Sequence, residues 1–275
     1  MAFSFHVRSN SLPSRPHPVI SELDEHMRRL RDSQAGSTFS SSLDNNLASL
    51  QDLHDCADKL LLLPLTQQVL AQEHNRKKVD ELLDGSLRLL DLCNITKDAL
   101  SQNKDCIQQL QSVFRRKQGS VDSEIKKYIS SRKTVKKTIK KASKNLKSNA
   151  NKSVSSADDI LAMMREVETI TLSTFESFLS YISEPSKPSG WSIVSKLMHH
   201  KRVAAFSDEQ EANQSEFATV DTVLQSLIGS KTVKSEEVQK KLHSLELCIQ
   251  DLEDGIECLF RKMIKSRASF LNIFN

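Results

Sequence analysis

Apolar residues recur along the chain at alternating intervals of four and three positions, which is the spacing of one face of an α-helix. The longest such stripe lies near the C-terminus and runs without a break over eight positions. These are Val238, Leu242, Leu245, Ile249, Leu252, Ile256, Leu259 and Met263. A helix that carries this stripe is about 40 Å long. The pattern therefore predicts a long C-terminal helix with one apolar face.

Shorter stripes predict several helices in the N-terminal half of the chain. The predicted ranges are 21–34, 43–61, 64–72, 75–101 and 104–117. Pro64 separates the second from the third, because proline lacks a backbone N–H and restricts the residue before it. The centre of the fourth, 87–95, is apolar around most of its circumference, so we place this helix in the middle of a bundle.

A lysine-rich helix is predicted over residues 121–148, with an apolar stripe that starts at Val121. Residues 158–182 form the next predicted helix. The segment 184–190 contains two prolines and cannot stay helical, so we place a hinge there. A short basic helix and an acidic loop then lead to a helix that ends near Gly229.

Glycine and proline number only six each, and this scarcity argues against a turn-rich β protein. We predict an all-α fold, an elongated multi-helix bundle with long coiled-coil-like helices and a disordered N-terminal tail. Beside the C-terminal stripe lie Cys248, Gly255 and Phe260, which are too apolar or too small for the charged edges of a two-stranded coiled coil. The bundle is therefore favoured, and a dimeric coiled coil stays open as the alternative.

Composition divides the chain into four parts. Residues 1–20 form a basic tail that is rich in Ser and Pro and has no acidic residue. Residues 21–184 form a helical bundle that includes the lysine-rich helix. Residues 185–190 form the hinge, and residues 191–275 supply C-terminal helices that pack on the same bundle.

The tail carries one short motif. Arg8, Ser11 and Pro13 match the Arg-Ser-x-phosphoSer-x-Pro pattern that 14-3-3 proteins bind. A phosphate on Ser11 would add close to two negative charges for an arginine cluster to bind, so the motif predicts 14-3-3 as a partner after phosphorylation. A tail without acidic residues also suits an organelle transit peptide, but its three prolines interrupt the amphipathic helix of such peptides.

Cysteine usage and hydropathy indicate the compartment. The five cysteines are widely spaced and lie mostly among apolar residues of helical segments, as is typical of reduced thiols in a cytosolic-type protein. The richest apolar run, 60–65, is far shorter than a membrane span and contains Pro64. We predict a cytoplasmic protein with peripheral membrane contact, and a plastid or nuclear location stays open.

Positive charge is concentrated in one block. The formal net charge is +4, yet residues 126–152 carry eleven Lys or Arg, so the rest of the chain is net acidic. No acidic residue lies between Glu124 and Asp158. Such a local field attracts anionic lipid headgroups, an acidic protein face or nucleic acid. The residues predicted to bind an anionic surface are Lys126, Lys127, Lys133, Lys136, Lys137, Lys140, Lys141, Lys144 and Lys147.

Two alternatives compete with surface binding by this block. Its apolar stripe has few large side chains for insertion into lipid, and residues 242–258 contain five acidic groups and no Lys or Arg. The lysine-rich helix could therefore pair with the acidic C-terminal helix inside one bundle. Nucleic acid is disfavoured as a partner, because Tyr128 is the only aromatic residue in the block and no nucleic-acid-binding motif is present.

The sequence contains no recognisable catalytic motif. The glycines are too far apart for a phosphate-binding loop, and G-x-S-x-G, C-x-x-C, H-E-x-x-H and the Glu-x-x-His motif of di-iron bundles are all missing. His54 and Asp58 lie one helical turn apart, and we interpret them as a core histidine paired with a carboxylate, not as metal ligands. We predict that the protein is not an enzyme and that it binds no metal and no cofactor. The alternative is an enzyme with an unfamiliar helical active site.

Several strings of residues resemble one family of plant proteins. They are 5–18 (FHVRSNSLPSRPHP), 63–68 (LPLTQQ), 79–91 (VDELLDGSLRLLD), 259–264 (LFRKMI) and 270–275 (FLNIFN). On these strings the chain resembles the plant-specific family catalogued as domain of unknown function 241, which is grouped with the BYPASS proteins. The resemblance covers nearly the whole chain.

The resemblance implies a non-enzymatic role in root and shoot development, in which BYPASS proteins restrain a mobile signal from the root. It offers no catalytic residues to carry over to this chain. The resulting expectation is a helical interaction protein with other proteins as partners.

Overall fold

The computed structural model describes residues 17–35, 39–116, 121–149, 159–183, 215–228 and 235–273. These residues form eight α-helices and one short 3₁₀ helix, and no strand occurs among them. The predicted all-α fold is confirmed. The tail motif of Arg8, Ser11 and Pro13 and the predicted hinge 185–190 lie outside the described residues.

The helices follow one another with short connections in the N-terminal half. They are α1 (Pro18–Ala35), α2 (Phe39–Leu61), α3 (Pro64–Leu70), the 3₁₀ helix (Glu73–Asn75), α4 (Arg76–Arg116), α5 (Val121–Asn149), α6 (Asp159–Ser183), α7 (Glu216–Leu227) and α8 (Ser235–Asn272).

The first helix begins earlier than the sequence pattern predicts, at Pro18 and not at Ser21. Proline suits the first helical position, because its missing N–H would have no partner there. The Nδ1 atom of His17 accepts a hydrogen bond from the backbone N–H of Val19 at 3.3 Å. His17 thus supplies the side-chain acceptor that we expected from serine.

One prediction about α4 is wrong. Residues 75–101 and 104–117 were expected to form two helices, but α4 is a single helix of 41 residues. Its length is about 60 Å. Asn103, near the expected break, is buried, and its Nδ2 donates to the backbone oxygen of Ala99 at 2.6 Å. The amide therefore finds its partner within the helix and does not interrupt it.

The two longest helices, α4 and α8, pack against each other in opposite directions. Lys97 of α4 pairs with Glu257 of α8, while further along α4 Gln111 donates to Glu246 at 2.9 Å. α2 and α7 also pack on α8. All eight residues of the C-terminal stripe are buried. The stripe is thus covered within one chain, as a multi-helix bundle requires.

Gly255 permits a close contact between α2 and α8. A Cβ atom at this position would lie 2.1 Å from Cδ2 of Leu47, which is itself buried. Next to this contact, Nε2 of Gln51 donates to the backbone oxygen of Gly255 at 3.0 Å. The absence of a side chain therefore sets the distance between the two helices.

We expect Gly255→Ala to lower the free energy of unfolding by about 1–2 kcal/mol, because the cost of overpacking exceeds the gain of about 1 kcal/mol in helix propensity. Chemical denaturation monitored by circular dichroism measures this. In a Leu47→Ala background the same change should be neutral or stabilising, since the overlapping atoms are gone. An equal loss in both backgrounds would contradict the steric explanation.

Candidate functional site: a lysine ridge above a buried charge cluster

One face of α5 is buried in the bundle. Ile125, Tyr128, Val135 and Ile139 are each at most 2% exposed, and the helix packs on α4, α6 and α7. This face is the apolar stripe of the sequence. Because the bundle covers it, α5 cannot insert its apolar side into lipid.

The opposite side of α5 carries a straight row of exposed lysines, which we call the lysine ridge. Its members are Lys126, Lys133, Lys137, Lys140 and Lys144. They are separated by seven, four, three and four positions, so they lie nearly on one line along the helix over about 27 Å. Among the described residues, none of the five has a carboxylate within 4.0 Å.

The other predicted lysines of α5 have different surroundings. Lys127 and Lys141 are exposed beside the ridge, and Lys127 pairs with Glu124 at 2.6 Å. Lys136 is half-buried and points its ammonium group to Asp221. Lys147 lies outside the part of α5 whose side chains the structure describes.

Among the described side chains, the acidic residues of α8 that form contacts with another long helix do so with α4 and not with α5. Glu253 pairs with Lys104 of α4 at 2.7 Å, Glu257 pairs with Lys97, and Glu246 accepts hydrogen bonds from two glutamines of α4. The alternative that paired the lysine-rich helix with the acidic C-terminal helix is therefore wrong. The long helix α4 lies against α8, and α4 supplies the partners of these acidic residues that we considered for α5.

A buried charge cluster lies directly beneath the ridge. Arg132 is 2% exposed and Asp221 of α7 is 3% exposed. Nε of Arg132 donates to Oδ1 of Asp221 at 3.0 Å, and Nη2 donates to Oδ2 at 3.1 Å. The guanidinium also donates to the backbone oxygen of Ile182 at 2.9 Å and to Oδ1 of Asn103 at 3.3 Å. One arginine thus connects α4, α5, α6 and α7.

Asp221 accepts hydrogen bonds from two further donors. The hydroxyl of Tyr128 donates to Oδ1 at 2.8 Å, and Nζ of Lys136 donates to Oδ2 at 2.7 Å. Burial alone would raise the pKa of Asp221, but Arg132 and Lys136 outweigh burial and lower the pKa below its ordinary value. Burial and the neighbouring carboxylate raise the pKa of Tyr128. The carboxylate therefore stays charged and fully hydrogen-bonded in the core.

Aromatic rings complete the cluster. The guanidinium of Arg132 lies over the ring of Phe217, 5.1 Å from its centroid, and Phe217 meets Tyr181 edge-on at 5.8 Å. The hydroxyl of Tyr181 in turn donates to Glu216, the first residue of α7. These contacts fasten α7 against α5 and α6, so the ridge has a fixed orientation relative to the bundle.

His54 is buried, but its partner differs from the prediction. Its Nε2 lies 3.0 Å from Oγ1 of Thr171, and that hydroxyl donates to the backbone oxygen of Val167 at 2.7 Å. His54 is therefore the donor. Asp58 pairs instead with Lys265 at 2.9 Å and accepts from Ser269 at 2.8 Å. The expected pair of His54 and Asp58 is thus wrong.

The described residues offer neither a metal-binding cluster nor a membrane-spanning helix. No group of three or more His, Cys, Asp or Glu side chains in this part of the chain is arranged to hold a metal ion. Within the same residues, no helix combines the length and hydrophobicity needed to cross a bilayer.

A family model described as Protein BPS1 matches residues 46–273. The chain belongs to the BPS1 family. The match extends from α2 through α8 and confirms the resemblance to BYPASS-like plant proteins. Membership of this family is consistent with a protein of plant development. No curated protein and no solved structure matched the chain.

Proposed function

We propose that this BPS1-family member is a non-enzymatic interaction protein that docks on anionic membrane surfaces through its lysine ridge. The observation that carries the proposal is the ridge itself, five exposed lysines in line with no carboxylate partner among the described residues. A straight row of like charges on a rigid helix fits a flat surface of opposite charge. An anionic bilayer is such a surface, and the protein would bind it peripherally from the cytoplasm.

The attraction between the ridge lysines and an anionic bilayer is strong enough to hold the protein at the membrane. Each basic residue near an anionic bilayer contributes about 1 kcal/mol, so four or five ridge lysines matter at physiological salt. Because the apolar face of α5 is buried, binding through this helix has no insertion component and depends on charge. Binding should therefore weaken steeply as salt rises.

The biological setting of the proposal comes from the family. The resemblance to BYPASS proteins supports a role in root and shoot development, with other proteins as partners in that role. The absence of any catalytic motif in the sequence supports a role in binding. A ridge held in a fixed orientation would bring such partners to the membrane.

Binding to vesicles tests the proposal. We expect the wild type to co-sediment with phosphatidylcholine vesicles that contain phosphatidylserine, and not with phosphatidylcholine alone. A variant with Lys133, Lys137, Lys140 and Lys144 changed to glutamine should bind at least about tenfold more weakly at physiological salt. The four lysines are exposed, so the variant should fold normally.

A matched variant controls for net charge. It removes four exposed positive charges elsewhere, at Arg29, Lys77, Lys240 and Arg261. This variant should bind anionic vesicles nearly as well as the wild type, because those residues do not lie on the ridge. If both variants lose binding equally, or if neither loses it, the ridge is not a membrane-docking site.

A further inference from the structure

A small cavity lies between α2, α4, α6 and α8. None of the residues that line it belongs to α5, which carries the lysine ridge. Its volume is about 50 Å³. Most of its wall is apolar and comes from Leu82, Leu89, Met164, Val167, Met263 and Phe270. All four helices contribute, so the cavity exists only in the folded bundle.

One polar group on the wall has no partner. Ser266 is 8% exposed, it lines the cavity, and its Oγ makes no hydrogen bond to any residue that the structure describes. Several other helical hydroxyls among the described residues donate to a backbone oxygen one turn earlier, as Thr96 does to Leu92 at 2.8 Å and Thr174 does to Ile170 at 2.8 Å. A buried hydroxyl without a partner destabilises the fold. An occupant of the cavity that hydrogen-bonds to Ser266 would remove this penalty.

The charged groups around the cavity already have partners. Arg267 donates to the backbone oxygen of Leu83 and to Oγ of Ser86, and Glu168 accepts from Arg88 at 3.1 Å. His54 uses Nε2 for Thr171 and is neutral at pH 7, because burial lowers the pKa of its imidazole to about 4. No unpaired charge is therefore presented to an occupant, which favours a neutral molecule.

The size of the cavity can adjust. A volume of 50 Å³ holds only a few non-hydrogen atoms. Two of its walls are the side chains of Met164 and Met263, which are unbranched and change conformation easily. Their movement would enlarge the cavity towards the size of a single ring.

We propose that this cavity binds a small neutral molecule with an apolar body and one polar group, which hydrogen-bonds to Ser266. The molecule would lie among the side chains of four helices. This site is independent of the lysine ridge, so either proposal can fail without the other.

Phenol is a suitable probe, and the methionine methyl groups report on its binding. The full chain, labelled with ¹³C at the methionine methyls, is titrated with phenol and followed by NMR. We expect saturable shifts of the Met164 and Met263 signals and none of Met27, which is buried on α1 away from the cavity. Ser266→Ala should weaken binding about five- to tenfold.

Two further variants sharpen the experiment. Ser266→Leu fills the cavity and should abolish the shifts while the protein still melts cooperatively. Ser244→Ala changes an exposed serine on the same helix and should bind phenol as the wild type does. The proposal is overturned if the wild type shows no saturable shift, which would indicate water alone in the cavity. It is also overturned if Ser266→Ala binds as tightly as the wild type, and this test stands even where Ser266→Leu does not fold.

Discussion

Asp221→Ala is expected to lower the free energy of unfolding by about 4 kcal/mol, because it leaves the buried guanidinium of Arg132 without its counter-ion. For a chain of this size such a loss lowers the melting temperature by about 10 °C. The loss should exceed that from removal of an exposed ion pair several-fold, since an exposed charge regains its hydration. Denaturant titration and calorimetry measure both quantities.

Two comparisons separate the cluster from its surroundings. Lys136→Gln should cost less than about 1 kcal/mol, because Asp221 keeps its hydrogen bonds from Arg132 and Tyr128 and the half-buried position 136 is partly open to water. The double change Arg132→Leu with Asp221→Leu should recover much of the stability lost in Asp221→Ala, since it removes both buried charges. A double variant as unstable as the single one would show that the hydrogen bonds of Arg132 to the backbone and Asn103 matter more than its charge.

Stability is expected to fall by about 3 kcal/mol between pH 6.5 and pH 4 because of His54 alone. Burial lowers the pKa of His54 from 6.5 to about 4, with Lys262 lowering it further and Asp55 opposing the shift. Between these two pH values the unfolded chain binds a proton that the folded protein does not, so acid favours unfolding. The contribution is fully present above pH 6.5 and is lost as pH falls towards 4.

The variant His54→Gln isolates the contribution of His54 to the pH dependence of stability. Glutamine can still donate to Thr171 but does not titrate, so the stability of this variant should vary much less with pH in this window. Urea titrations at a series of pH values give the comparison. His74→Gln, at an exposed histidine of the 3₁₀ helix, is the matched control for replacing an imidazole by an amide and is measured in the same series. A slope that stays as steep in His54→Gln as in the wild type would refute the assignment to His54.

Much of the fold follows from local patterns in the sequence. The C-terminal stripe predicts α8 because the spacing of its apolar residues is strictly helical, and Pro64 predicts the end of α2 because its effect on the backbone is local. The errors lie where tertiary contacts or a neighbouring side chain determine where a helix begins or ends. α4 continues through Asn103 because that amide is satisfied inside the bundle, and α1 starts early because His17 supplies a side-chain acceptor.

The sequence shows the charge of the lysines on α5 but not their buried partners. The lysines of α5 follow directly from the charge pattern, but a one-dimensional pattern cannot show which of them faces a carboxylate from a distant helix. Lys136 was assigned to the surface, and it pairs with Asp221, 85 positions away. Two unused signals in the sequence could have indicated the cluster, namely Arg132 within the apolar stripe of α5 and Asp221 within the apolar segment 217–224. Neither signal identifies the other residue as its partner.

The anchoring of α5 by Arg132 fixes how the protein would sit on a bilayer. Since the ridge runs along the helix axis and the helix cannot roll within the bundle, contact through several lysines requires this axis to lie flat against the headgroups. The side of the molecule opposite α5 would then always face the solvent. A second protein that binds this side would therefore find the same surface exposed on every bound molecule, at the same orientation to the membrane.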